Sequence, residues 1–292
     1  MRRPLGADLV TALWKSLPSA VVPGTVDAEP LSGGAVNDVW RLSQADGTTY
    51  VLKGSLDAPP DLFPLEAAGL RALHERAGIR TPRVFEVSAH HLLMETLRPR
   101  PDTDAFWEAA GRSFATLHTV RGEHFGWDTD GWLGLLPQEN GPTADGHEFF
   151  AERRLRRYLR EPKARRALSP ADLAGLERIC ERLPQLVPAA PSVLNHGDLW
   201  RGNLVADAAG EPVFIDPAVC WLWAESDLSM IYCCDPPPDR FFHAYEEISP
   251  LADGWRDRMP LLHLREHLSV LAHFGAYGDT VARVRDVVRT FS

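Results

Sequence analysis

The chain has 292 residues, of which 45% are hydrophobic and 24% are charged, a composition that is ordinary for soluble globular proteins. This length allows one large domain or two lobes with separate hydrophobic cores. The formal net charge of −9 argues against a nucleic-acid partner bound through a general basic surface.

The front part of the chain reads as a helix followed by a β-sheet with one inserted helix. Apolar residues at helical spacing predict a helix over Asp8–Leu17. Strands are predicted over Val36–Leu42 and Thr49–Lys53, and the turn Ala45-Asp46-Gly47 between them indicates a hairpin. The next predicted elements are the helix Asp61–Ala77 and the short strands Val84–Val87 and His91–Met94.

This front part carries residues suited to nucleotide phosphates. The adjacent glycines Gly33 and Gly34 allow backbone N–H groups to approach phosphate oxygens closely. Lys53 ends a strand and Glu66 lies in the next helix, a combination that can place an ammonium group on the α- and β-phosphates. Backbone groups at the end of the last strand and in the connector after it are candidates for contact with the adenine edge, at Met94, Glu95 and Leu97.

Beyond Leu97 the pattern becomes mainly helical. We therefore expect a nucleotide-binding lobe of residues 1–97 and a catalytic and substrate lobe of residues 98–292, with the nucleotide in the crevice between them. Helices are predicted over Thr103–Val120, Gly146–Leu159 and Ala171–Leu183, an ordered loop over Phe125–Asn140, and mainly helix over Asp227–Phe291.

Three side chains in the back half point to phosphoryl transfer. Asp198 precedes Asn203 by five residues, and Asp216 follows the apolar run Val213-Phe214-Ile215. Transfer of a phosphoryl group to a hydroxyl requires a carboxylate that accepts the hydroxyl proton and oxygen ligands that hold Mg²⁺ on the nucleotide. We predict that Asp198 is the base and that Asn203 and Asp216 bind Mg²⁺.

Neighbouring residues are expected to support this set. His196 should brace the loop, and Asp227 should accept hydrogen bonds from the loop backbone. Pro217 favours an extended backbone at Asp216. Trp200 has two interpretations, stacking on the substrate or packing the loop against the helical lobe. Glu225, at the start of the following predicted helix, is a second candidate for substrate contact.

The chain offers few signs of export, membrane insertion or structural zinc. No apolar stretch approaches the ~20 residues of a membrane span, and no apolar run of signal length follows Met1–Pro4. The cysteines at positions 180, 220, 233 and 234 lack the paired spacing of a zinc site. We expect a cytoplasmic monomer without a membrane or nucleic-acid partner.

Several segments together carry a family resemblance that covers about residues 31–274. They are His196–Asn203, Asp216–Val219, Glu225–Met230, Phe125–Asp128, Gln138–Asn140 and Phe149–Leu155. They resemble the aminoglycoside and choline kinase branch of the protein kinase-like superfamily, and within it the fructosamine kinase (ketosamine 3-kinase) family. The resemblance implies a two-lobed α+β fold, with an antiparallel sheet lobe and a mainly helical lobe.

The same resemblance implies an enzyme that uses ATP and Mg²⁺. It would phosphorylate the 3-hydroxyl of a ketosamine (fructosamine), free or protein-bound, and the unstable product would release the amine. Cys220–Ala224 and Cys233–Pro238 depart from the family pattern, which leaves the identity of the ketosamine open.

Three alternative functions compete with this one. The first alternative is another small-molecule kinase of the same fold, acting on an aminoglycoside or choline. A catalytically silent nucleotide-binding module would need a lost base, metal ligand or lysine, and all of these are present. A protein kinase is disfavoured because the sequence lacks an Asp-Phe-Gly switch and an Ala-Pro-Glu segment.

Overall fold

The structure, a computed structural model, describes residues 26–31 and 37–292. The helix predicted over Asp8–Leu17 and the predicted phosphate contacts Gly33 and Gly34 lie outside these residues. Within the described ranges, no helix combines the length and the apolar character needed to cross a bilayer.

A five-stranded antiparallel sheet forms the first part of the fold. Its order is β1-β2-β3-β5-β4, with β1 Val26–Pro30, β2 Asp38–Gln44, β3 Thr49–Gly54, β4 Val84–Val87 and β5 His91–Glu95. The predicted β2–β3 hairpin is confirmed, and Gly47 takes a φ of +87° in its turn. Leu52 and Leu93 are paired across β3 and β5 and are fully buried, so the middle of the sheet is held by packing.

The inserted helix α1 (Leu62–Ala77) packs on this sheet. Phe63 and Leu70 form a buried cluster with Leu92 of β5. Gly78 ends the helix in the left-handed conformation, with φ 68°, and donates its backbone N–H to His74 O at 2.9 Å. The predicted helix and its stop are confirmed, and the helix carries Glu66 toward β3.

The rest of the chain is mainly helical and contains the large hydrophobic core. Its helices are α2 Asp104–Leu117, α3 Gly146–Phe149, the π-helical segment Phe150–Arg156, α4 Arg157–Leu159, α5 Pro162–Ala167, α6 Pro170–Leu186, α7 Ala224–Cys234, α8 Asp239–Glu246, α9 Trp255–Leu262, α10 Leu264–Phe274 and α11 Thr280–Phe291. The sheet followed by helices confirms the predicted α+β class. The lobe boundary between residues 97 and 98 stays a prediction.

Three short antiparallel pairs lie among these helices. They are β6 Gly131–Leu133 with β7 Leu136–Gln138, β8 Val193–Asn195 with β11 Cys220–Leu222, and β9 Leu204–Ala206 with β10 Pro212–Phe214. The prediction of an ordered loop over Phe125–Asn140 was therefore wrong for its second half, because this segment contains the β6–β7 hairpin. Three-residue strands are too short to show a clear alternation of apolar and polar side chains.

Candidate active site

One ammonium group faces two carboxylates where the sheet meets the helical part. The buried Lys53 of β3 donates from Nζ to both carboxylate oxygens of Glu66 on α1, at 2.9 and 2.8 Å. The same Nζ lies 3.0 Å from Oδ1 of Asp216. The predicted ion pair between Lys53 and Glu66 is present, and Asp216 joins it.

A single positive charge cannot fully neutralise two carboxylates in a site where Lys53 and Glu66 are largely buried and Asp216 is partly exposed. Burial opposes the charge on Lys53, but Asp216 and Glu66 outweigh it and hold the Lys53 pKa above its ordinary value. Burial, together with the charge of Asp216, raises the pKa of Glu66 to about 7. Burial also opposes ionisation of Asp216, but Lys53 keeps the Asp216 pKa below its ordinary value. Asp216 is therefore the carboxylate that remains ionised at neutral pH.

Residues 196–203 start directly after β8 and carry the predicted base, so they are named the catalytic loop. Asp227 of α7 binds the backbone of this loop. Oδ2 of Asp227 accepts the backbone N–H of His196 at 2.5 Å, and Oδ1 accepts that of Gly197 at 2.9 Å. Nε2 of the buried His118 lies 3.2 Å from the same Oδ2. The prediction that Asp227 accepts hydrogen bonds from the loop backbone is confirmed.

His196 connects this loop to the Asp216 loop, residues 215–219. Nε2 of its ring lies 3.0 Å from the carbonyl oxygen of Ile215, and Nδ1 accepts the backbone N–H of Asp198 at 3.3 Å. Burial lowers the pKa of His196, so the ring stays neutral and can serve as donor on one side and acceptor on the other. Its predicted bracing role is confirmed.

Asp198 and Asn203 are held together within the catalytic loop, and Asn203 ends a 3₁₀ segment over Arg201–Asn203. Nδ2 of Asn203 donates to the backbone oxygen of Asp198 at 2.8 Å and lies 3.4 Å from its Oδ2. The hydrogen bonds of this side chain use its amide nitrogen, so the amide oxygen could bind a cation. Burial, reinforced by the charge of Glu266, raises the pKa of Asp198 above its ordinary value, which makes this carboxylate a stronger proton acceptor.

Asp216 has an unusual backbone. Its φ is +57°, the one positive value at a non-glycine position among the described residues. The prediction of an extended backbone before Pro217 was therefore wrong. Two hydrogen bonds fix the turn from both sides, since Ile215 N donates to Asn203 O at 3.1 Å and Ala218 N donates to His196 O at 2.9 Å.

These groups surround one cavity of about 250 Å³. The sequence-predicted residues that line it are Lys53, Glu66, Asp198, Trp200, Asn203 and Asp216. They come from β3, α1, the catalytic loop and the Asp216 loop, so distant parts of the chain meet at one place. Their roles toward substrate, nucleotide and metal stay predictions.

The donor set fits a hard divalent cation that is shared with a nucleotide. Asn203 offers an amide oxygen and Asp216 a carboxylate, the ligand types that Mg²⁺ prefers. The described part of the chain contains no group of three His, Cys, Asp or Glu side chains that could hold a metal by themselves. Two protein oxygens beside a buried ammonium group suit a cation that takes its other ligands from phosphates and water.

Four predicted positions lie away from the lining of this cavity. Met94 is buried in the cluster under α1, and Glu95 is bound by Arg80 at 2.6 and 2.8 Å. Leu97 is half-buried in the segment after β5. Both carboxylate oxygens of Glu225 are bound by Arg258, at 2.7 and 2.6 Å. The adenine contacts and the substrate contact of Glu225 stay predictions.

Comparison with known proteins identifies the family. The family described as Fructosamine kinase matches residues 16–289. The chain belongs to the fructosamine kinase family. It is similar to a probable ketoamine kinase of Synechocystis, with 33% identity over 85% of this chain and 84% of the relative. It is also similar to a chloroplastic protein-ribulosamine 3-kinase of rice, with 30% identity over 85% of this chain and 73% of the relative.

The fold agrees with this family. The crystal structure of a putative fructosamine-3-kinase from Thermobifida fusca superimposes with a TM-score of 0.81 and 35% identity, covering 90% of this chain and 94% of that one. The expected two-lobed kinase-like architecture, with an antiparallel sheet part and a mainly helical part, is confirmed.

Sequence reasoning did not assign several residues that line the cavity in this family member. The β6–β7 hairpin and the segments beside it bring in Trp127, Thr129, Asp130, Trp132, Gln138 and Asn140. The signal was present as a stretch rich in Gly, Trp and Asp, but tryptophans pack more often than they bind. One oxygen of Asp130 accepts the backbone N–H of Asn140 at 2.7 Å. Asp130 lines the cavity, and its carboxylate has no ion-pair partner among the described residues.

Proposed function

We propose that this chain transfers the γ-phosphoryl group of ATP to the 3-hydroxyl of a ketosamine. The observation that carries the proposal is the convergence of Lys53, Asp198, Asn203 and Asp216 on one cavity. Membership of the fructosamine kinase family and the names of its relatives support the ketosamine as acceptor. Phosphorylated at that carbon, the adduct is unstable and releases its amine.

In the proposed reaction the 3-hydroxyl oxygen forms a bond to the γ-phosphorus while the bond from that phosphorus to the bridging oxygen breaks and ADP leaves. Asp198 orients the hydroxyl and takes its proton. Lys53 holds the nucleotide phosphates through its ammonium group. Asn203 and Asp216 would bind Mg²⁺, whose positive charge offsets the negative charge on the phosphate oxygens.

The cavity suits an acceptor with hydroxyl groups and a protonated amine. Trp127, Trp132 and Trp200 supply aromatic surface, which packs well against the apolar face of a sugar. Asp130 offers a carboxylate oxygen that could meet the positive charge of a secondary ammonium group. These groups match a ketosamine, which carries both a polyol chain and an amine.

An acceptor panel with ATP and Mg²⁺ tests the proposal. A ketosamine such as fructosyl-lysine should be phosphorylated, whereas an aminoglycoside and choline should not. Turnover of the drug or of choline without the ketosamine would assign the chain to the alternative small-molecule kinases.

The residue assignment is tested with Asp198→Asn, which keeps the shape of the side chain but cannot take the proton. We expect kcat to fall by about 10²–10⁴-fold while ATP binding, measured by calorimetry, is retained. Full activity of this variant would show that Asp198 is not the base.

A further inference from the structure

A buried arginine behind the cavity binds the two loops that carry the proposed catalytic groups. Arg265 of α10 is 6% exposed and lies outside the cavity lining. Its Nη1 donates to the carbonyl oxygen of Gly197 at 2.7 Å, immediately before Asp198 in the chain. Its Nη2 donates to Oε1 of Gln138 at 2.9 Å. One guanidinium group therefore binds both the catalytic loop and the end of the β6–β7 hairpin.

Gln138 continues this connection to the Asp216 loop. The side chain is 2% exposed, and its Nε2 donates to the carbonyl oxygen of Ala218 at 3.1 Å. Both ends of its amide are thus bonded, the oxygen to Arg265 and the nitrogen to Ala218. Because Gln138 also lines the cavity, the network joins three of the segments that form the site.

The two loops have very little room to adjust to one another. Gly197 has a φ of +82°, and a Cβ at this position would lie 1.9 Å from the carbonyl oxygen of Ala218. A small shift of either loop therefore produces a clash or opens a gap. The contacts that hold the carbonyl groups of Gly197 and Ala218 in place therefore also affect the distance between the side chains of Asp198 and Asp216.

One group of Arg265 is unfavourable for stability at this position. Its Nε is buried, and no acceptor among the described residues bonds to it. An unpaired buried donor destabilises a fold, and an apolar side chain of similar volume would avoid that cost. Packing alone therefore does not account for an arginine here, whereas the hydrogen bonds of its Nη atoms to Gly197, Gln138 and Glu266 do. The first two of these bonds join the catalytic loop to the β6–β7 hairpin.

We infer that Arg265 is a positioning residue that fixes the catalytic loop and the Asp216 loop relative to one another. This inference rests on the proposed phosphoryl transfer, in which the base and the metal ligands must act on the same phosphoryl group. Gln138 is the second positioning residue, because its hydrogen bond to Ala218 connects Arg265 to the Asp216 loop. A displacement of about 1 Å in such a site can lower the rate about 10²-fold.

The test uses Arg265→Lys and Gln138→Met in the full chain. Lysine keeps the charge beside Glu266 but can reach only one of the two acceptors, and methionine keeps the length of Gln138 without its amide. We expect kcat per folded molecule to fall about 10–100-fold in both variants, with the KM for ATP within about twofold of wild type. Arg285→Lys, which alters an Arg–Asp172 pair between α6 and α11, should leave kcat unchanged.

Amide hydrogen exchange supplies a readout that does not depend on turnover. Exchange should rise in both loops, residues 196–203 and 215–219, for Arg265→Lys, and mainly in the second loop for Gln138→Met. A merely structural arginine would lower the melting temperature of its variant and leave kcat per folded molecule intact. Folded variants with wild-type kcat and wild-type exchange in these loops would overturn the inference. If the wild-type chain phosphorylates no ketosamine, the proposed function fails, while the exchange result still decides the role of Arg265.

Discussion

Replacement of Asp227 by asparagine should destabilise the protein far more than a typical Asp-to-Asn change. The carboxylate of Asp227 is buried and receives the backbone N–H groups of His196 and Gly197, with His118 as a third contact. Asparagine keeps one oxygen but turns an NH₂ group toward a backbone N–H or the His118 ring. At least one buried donor is then left without an acceptor.

The size of the effect follows from these contacts. Removal of one partner from a buried charged interaction costs about 3–5 kcal/mol. In a chain of this size each kcal/mol shifts the melting temperature by about 2–4 °C, so we expect a decrease of roughly 6–20 °C. Burial opposes the charge on Asp227, but the His118 contact and the backbone donors outweigh it and hold the Asp227 pKa below its ordinary value. The stabilising contribution is therefore present above about pH 4 and is lost as the pH falls through the lowered pKa.

Thermal unfolding at pH 7 and at pH 3 measures both parts of this prediction. Asp172→Asn is the matched control, because Asp172 binds Ser169 N at the start of α6 and the half-exposed Arg285, away from the catalytic loop. Asp227→Asn should melt well below this control at pH 7, and the difference between the two melting temperatures should be smaller at pH 3. Equal melting temperatures at pH 7 would refute the reasoning from buried backbone donors.

Three further predictions concern the cavity itself. Burial and Asp216 raise the Glu66 pKa to about 7 from 4.5. The stabilising contribution of Glu66 is therefore full below about pH 4.5 and is lost as the pH rises through 7. In Glu66→Gln, the melting temperature of the nucleotide-free protein should depend less on pH over this range. Trp200→Ala should raise the KM for the ketosamine about tenfold without changing that for ATP, whereas a packing role would lower only the melting temperature. Asparagine tolerates the same positive φ, so Asp216→Asn should change the melting temperature only slightly. Loss of the carboxylate should lower kcat about 10²–10³-fold at saturating Mg²⁺. A kcat near wild type would exclude Asp216 as a metal ligand.

Local patterns in the sequence were sufficient for the parts of the fold that have local causes. The β2–β3 hairpin follows from Asp46-Gly47 between two alternating strands, and the end of α1 follows from Gly78. The contact between Lys53 and Glu66 was predicted as well, from a strand lysine and a glutamate in the next helix taken together with the later pattern of Asp198, Asn203 and Asp216. Asp227 could be predicted as a backbone acceptor because a buried carboxylate near the loop needs donors.

Contacts across long stretches of chain escaped prediction. Arg265 and Gln138 are separated by 127 residues, and neither belongs to a pattern that predicts their hydrogen bond. The hairpin that brings Gln138 to the cavity consists of strands of three residues each. Its role depends on where it packs, which local propensity does not determine.

The backbone of Asp216 shows how such distant contacts override a local rule. A proline at position 217 favours an extended conformation before it, yet the observed φ is +57°. A left-handed conformation at a non-glycine residue costs about 1–3 kcal/mol and persists only when its surroundings determine it. Here the surroundings are the two hydrogen bonds from the Asp216 loop to His196 and Asn203, with the Gln138 contact beside them. The strain therefore lies at the carboxylate that meets Lys53, which is where rigid placement matters most for phosphoryl transfer.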